Sequence, residues 1–114
     1  MVKNVFMTSY SPSVMINSTF KVEHQQFTCE LEMMLIFYRE DGKWFLDTCD
    51  YGDMLSMEID GKKLSNDDIR EYIKFLKRIG LEYENECIDE VENIIRSWNQ
   101  EDIHKFIMKE VKIY

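Results

Sequence analysis

The chain of 114 residues carries a formal net charge of −8, with 22 acidic against 14 basic side chains and 45% hydrophobic residues. That length sets one domain, 1–114, with a core of its own, and the composition excludes wholesale disorder. The negative field works against direct grip on nucleic acid or an anionic membrane, and no stretch approaches the ~20 apolar residues of a membrane span.

From Asn4 to Tyr10 a short apolar run reads as an edge strand, interrupted by Ser11-Pro12-Ser13. Val14 to Val22 is a second strand, weakened by the polar Asn17-Ser18-Thr19. The strongest strand signal spans Phe27 to Arg39, where Cys29, Leu31, Met33, Leu35 and Phe37 alternate onto one face. Met34, Ile36 and Tyr38 make the other face apolar too, which predicts a central strand covered on both sides. Asp41-Gly42 accepts the positive φ angles of a type I′ turn. A two-residue loop there sets Glu40 opposite Lys43, Tyr38 opposite Phe45 and Phe37 opposite Leu46. Lys43 to Cys49 is then a strand, Asp50-Tyr51-Gly52-Asp53 a loop, Met54 to Ile59 a further strand, and Asp60-Gly61 the next turn.

After Leu64 the period changes from two to 3.6. Ser65 with Asp68 forms a capping-box-like start, Ile69, Tyr72, Ile73, Leu76 and Ile79 keep helical spacing, and Gly80 stops the helix. A second helix is carried by Cys87, Ile88, Val91, Ile94, Ile95 and Trp98, with Val91 and Trp98 expected against the sheet. Asn99 caps a third, with Ile103, Phe106, Ile107 and Val111 as its apolar stripe. The expected fold is α+β: a four- or five-stranded, mostly antiparallel sheet within 4–60, then three helices within 65–112.

Chemistry-bearing constellations are sparse. Asp41-Gly42-Lys43 and Asp60-Gly61-Lys62 have the Asp-x-Lys pattern of metal-dependent nucleases, but each carries glycine where the chain must reverse, so both read as turns. Cys29, Cys49 and Cys87 are odd in number and widely spaced, which suits buried free thiols in a reducing, cytoplasmic location. No zinc spacing, phosphate-cradling loop or cofactor signature is present, and no local sequence activates a Cys–His pair with His24 or His104. The N-terminus lacks the basic start and apolar run of a secretion signal. The expectation is a non-enzymatic chain with no cofactor and no metal.

The acids are unevenly placed. Glu82, Glu84, Glu86, Asp89, Glu90 and Glu92 fall between Arg78 and Arg96 with no intervening base, so they are expected to repel without internal relief. Asp47, Asp50, Asp53, Glu58 and Asp60 make a second acidic stretch between Lys43 and Lys62. The Asp47-x-x-Asp50-x-x-Asp53 spacing lacks the closing bidentate Glu of a calcium loop. Acids four apart on a helix sit ~6 Å from one another, comparable with successive phosphates on a nucleic-acid strand. The two readings are a solvated, solubilising surface and a binding face for a basic groove.

Trp98-Asn99-Gln100-Glu101, followed by Asp102, resembles a stretch in small acidic phage-encoded anti-CRISPR proteins of the Cas9-inhibitor type. Absence of alanine and an excess of lysine over arginine suit AT-rich coding, as in low-GC bacteria and their phages. The resemblance implies carboxylates presented in place of DNA, with Glu101 and Asp102 among the contacts. The expected function is an inhibitor from a phage or mobile element. It would bind a basic nucleic-acid-binding effector as a nucleic-acid mimic, with no direct contact to nucleic acid or membrane. An immunity protein masking a basic toxin and a small enzyme with an unrecognised site are the alternatives.

Overall fold

The computed structural model describes residues 5–7 and 12–110. Five strands lie side by side in sequence order: β1 (Val5–Met7), β2 (Pro12–Glu23), β3 (Thr28–Glu40), β4 (Lys43–Ile59) and β5 (Lys62–Lys63). Every described pairing is antiparallel. Helices α1 (Asn66–Arg78), α2 (Tyr83–Arg96) and α3 (Gln100–Glu110) follow, giving the expected α+β order. Of the predicted first strand, only Val5–Met7 lies within the described residues; Val111, placed on the third helix's stripe, falls outside them.

The β3–β4 hairpin turns at Asp41 and Gly42 with φ of 52° and 75°, and its register is the predicted one, Glu40 to Lys43 and Tyr38 to Phe45. Asp60 and Gly61 repeat that geometry at 51° and 78° and lead into β5. Ser65 caps α1 by accepting the Asp68 N–H. At the other end Gly80, at φ 91°, lets the Leu81 N–H reach Leu76 O and its own N–H reach Lys77 O, a Schellman closure.

Four expectations need correction. Asp50 to Asp53 is not a loop: β4 runs unbroken through it, and the mismatch with β3 is absorbed by single extra residues at Asp47, Gly52 and Leu55. A Cβ on Gly52 would lie 2.6 Å from the Glu32 carbonyl oxygen, so glycine is needed where the bulged strand draws close. β2 is not weakened at Asn17-Ser18-Thr19, because Asn17 and Thr19 face solvent and only Ser18 points inward. Its hydroxyl donates to Glu110 Oε1 at 3.2 Å, satisfying the one polar side chain on that buried row.

The third correction concerns β3. Its Cys29, Leu31, Met33, Leu35 and Phe37 are buried with Val22, Met57, Leu76, Cys87, Val91 and Ile107 in one core between sheet and helices. Met34, Ile36 and Tyr38, on the opposite face, are only half-buried, and among the described residues the helices cover β3 on one side alone. Val91 is fully buried as expected, whereas Trp98 is only partly so, leaning on Phe20 and Phe106 at the rim.

Candidate functional site

α2 packs Tyr83, Cys87, Val91 and Ile95 onto the sheet, which turns Glu82 and Asp89 to solvent on its far side. The helix has internal relief that its sequence conceals. Glu92 pairs with Arg96 one turn on, at 2.9 Å. Glu86 Oε2 meets His24 Nε2 at 3.2 Å, a partner 62 residues away. His24 is held for that contact: Nδ1 accepts the Gln26 N–H and the ring stacks on Phe27. With Nδ1 accepting, the ring proton of the neutral form sits on Nε2 and points at the carboxylate. Glu82 is the N-cap, and Glu84 and Glu86 lie in the first turn, where acids complement the helix dipole. Asp89 and Glu90 make no ion pair among the described residues.

The second acidic stretch does not extend that face. Asp50 lies opposite Met34 and Asp53 opposite Glu32, so both project from the open side of the sheet, away from the helices. Asp47 is the bulged residue at β4's edge. From Phe45 to Ser56 that edge has no partner strand among the described residues, since β5 pairs only at Glu58 and Ile59. Among the described residues no three His, Cys, Asp or Glu side chains are grouped to hold a metal ion.

Glu101 and Asp102, the residues the resemblance points to, serve α3 itself. Asp102 and Asn99 form a reciprocal cap: Asn99 Oδ1 accepts the Asp102 N–H at 2.8 Å, and Asp102 Oδ2 accepts the Asn99 N–H at 3.1 Å. Glu101 pairs with Lys105. Gln100 is taken up by the backbone of Trp44, and Trp98 by aromatic packing.

Sequence reasoning missed the cleft between β4 and the α2–α3 corner. It measures about 470 Å³ and is walled by Trp44, Phe45, Asp47, Glu92, Arg96 and Trp98. No spacing rule announces it, because its walls come from segments fifty residues apart. Arg39 sits 5.2 Å over the Trp44 ring, and the Trp44 indole N–H reaches His104 Nδ1 at 3.4 Å. Cys49 lines the floor, but burial, then Glu92 and Asp50, pushes its thiol up to about 12. It is therefore protonated, and a poor nucleophile, at neutral pH.

No family model, curated protein or solved structure matches the chain. Among the described residues no helix is long and apolar enough to cross a membrane.

Proposed function

We propose that the chain is a non-enzymatic binding protein whose α2 face occupies a basic, nucleic-acid-binding groove on another protein. An inhibitor of a CRISPR effector, carried by a phage or mobile element, is the form of this reading that the Trp98–Asp102 stretch favours. The observation that carries it is the outer side of α2, where the exposed Asp89 and Glu82 and the half-exposed Glu90 have no cationic partner among the described residues. Asp50 and Asp53 point the other way and are left out of the contact, whereas Asp47 walls the same cleft as Glu92. Such an interface associates by electrostatic steering and weakens as salt rises.

The test adds purified protein to a guide-loaded CRISPR effector nuclease and measures target-DNA binding across ionic strengths. The expected result is salt-sensitive competition, reduced tenfold or more, about 1.4 kcal/mol, by Asp89→Lys with Glu90→Lys. Asp67→Lys with Glu71→Lys, on α1, makes the same charge change and should do much less. Equal loss from both pairs would reduce the effect to net charge, and no competition by the wild-type protein would overturn the reading.

A further inference from the structure

A second feature stands apart from the acidic face. Cys29 on β3 and Cys87 on α2, 58 residues apart in sequence, bring their sulfurs to 4.0 Å inside the core. Cys29 is 2% exposed and Cys87 fully buried. The sulfurs have only to close by about 2 Å to reach bonding distance. Beside them the Tyr83 hydroxyl is buried with no hydrogen-bond partner among the described residues. Tyr83 is also a wall of a cleft of about 400 Å³ between α1 and the start of α2, which Lys77, Glu82 and Glu84 line. Tyr83 is thus a wall of the recess and a neighbour of the thiol pair at once.

We propose that Cys29 and Cys87 are a peroxide-responsive modification site whose oxidation bonds α2 to the sheet. Cys29 is taken as the attacking sulfur: its hydrogen bond with Cys87, which either sulfur can donate, draws its thiol down against the cost of burial. The same hydrogen bond, with burial, holds Cys87 up. Cys29 thiolate attacks one oxygen of hydrogen peroxide, the O–O bond breaks, and a sulfenic acid and hydroxide form; the hydroxide takes up the proton that the Cys29 thiol released and leaves as water. Cys87 sulfur then attacks Cys29 sulfur, the S–O bond breaks, and a second water leaves with the Cys87 proton. Two thiols lose two electrons, and one peroxide is reduced to two waters. Hydrogen peroxide is small enough to pass a local opening at Tyr83, which a bulky disulfide is not. Cys49 cannot substitute for either partner, since it pairs with Leu35, six residues along β3 from Cys29, or about 20 Å.

The experiment exposes the native chain to hydrogen peroxide and maps its thiols by mass spectrometry. The expected product is lighter by two hydrogens, joins the Cys29 and Cys87 peptides, leaves Cys49 alkylatable, and reverts with dithiothreitol. Amide exchange in α2 slows in this product. In Cys87→Ala, checked for native circular dichroism, Cys29 should accumulate as sulfenic and sulfinic acid instead. Cross-links through Cys49, or sulfinic acid at Cys29 in the wild-type chain, would overturn the proposal. So would intact thiols under conditions that fully oxidise the urea-unfolded chain. None of these outcomes depends on whether α2 meets a partner.

Discussion

Gln100 grips Trp44 by both of its main-chain groups: the Trp44 N–H donates to Gln100 Oε1 at 2.7 Å, and Gln100 Nε2 donates to Trp44 O at 2.8 Å. A primary amide presents the same acceptor and donor as a peptide unit, so the side chain stands where a residue of a sixth strand would. It fastens the first turn of α3 to the start of β4 and closes β4's unpaired edge at that point.

Replacing Gln100 with Ala should therefore cost about 1–3 kcal/mol, read from urea unfolding, because two main-chain groups lose their partners. Gln100→Glu should fare no better. Its carboxylate can still accept from the Trp44 N–H, but it has no donor for the carbonyl and sets oxygen against oxygen.

Two glycines of the β3–β4 pair are required for different reasons, and alanine separates them. Gly42 has open space around its missing Cβ but sits at φ 75°, so Gly42→Ala should cost about 1 kcal/mol in strain. Gly52 has no positive φ but abuts the Glu32 carbonyl, a backbone atom that cannot swing away. Gly52→Ala should cost more, about 2 kcal/mol, with the larger fall in denaturation midpoint.

The acids of β4 suit the defence of an unpaired edge better than a binding face. Charges and bulges are the means by which sheets avoid pairing with one another, and Asp47, Asp50 and Asp53 combine them. Changing all three to Asn keeps their size and removes the charge. The expected outcome is concentration-dependent association on size-exclusion chromatography. A monodisperse variant at high protein concentration would return these acids to the list of partner contacts.

Alkaline pH should destabilise the protein through Cys49 and Tyr51. Burial is the chief cause in both, lifting Cys49 from 9.0 and Tyr51 from 10.0 to about 12. The folded chain thus keeps protons that the unfolded chain releases. Stability is complete below pH 9 and declines as pH rises toward 12. Cys49→Ser should flatten that decline, measured as urea midpoints at pH 8, 10 and 11, while tyrosinate absorbance reports Tyr51.

The fold was largely legible because its strongest signals are local. Asp41-Gly42 dictates a turn and, through the turn, a register. Ser65 and Gly80 mark the ends of α1 in the same way. The open side of β3 was misjudged because apolar residues on both faces are equally consistent with a covered strand and with a half-covered one. The bulges escaped notice since a glycine between two acids reads as a loop until the neighbouring strand is in place. Of the acids of the second helix, Glu82, Glu84 and Asp89 are exposed, while Glu86, Glu90 and Glu92 are half-buried. The helix was misread as to their isolation, since His24 lies 62 residues away from Glu86 in sequence. Asn99 is legible as the cap of α3, and the reciprocal role of Asp102 follows from the same three-residue spacing as Ser65 and Asp68.

The order of elements also bears on how the protein is made. The strands precede the helices, and each pairs only with its sequence neighbour, so the sheet can zip up from its tight turns within microseconds of emerging. The row from Cys29 to Phe37 then waits for α2 and α3, which occupy the last third of the chain. At ribosomal speeds of roughly 5–20 residues per second that wait lasts several seconds. Through that interval the nascent sheet is greasy on one side, while Glu30, Glu32, Asp50 and Asp53 outnumber Lys21 on the other and leave it a net negative charge, which favours repulsion over stacking between like sheets.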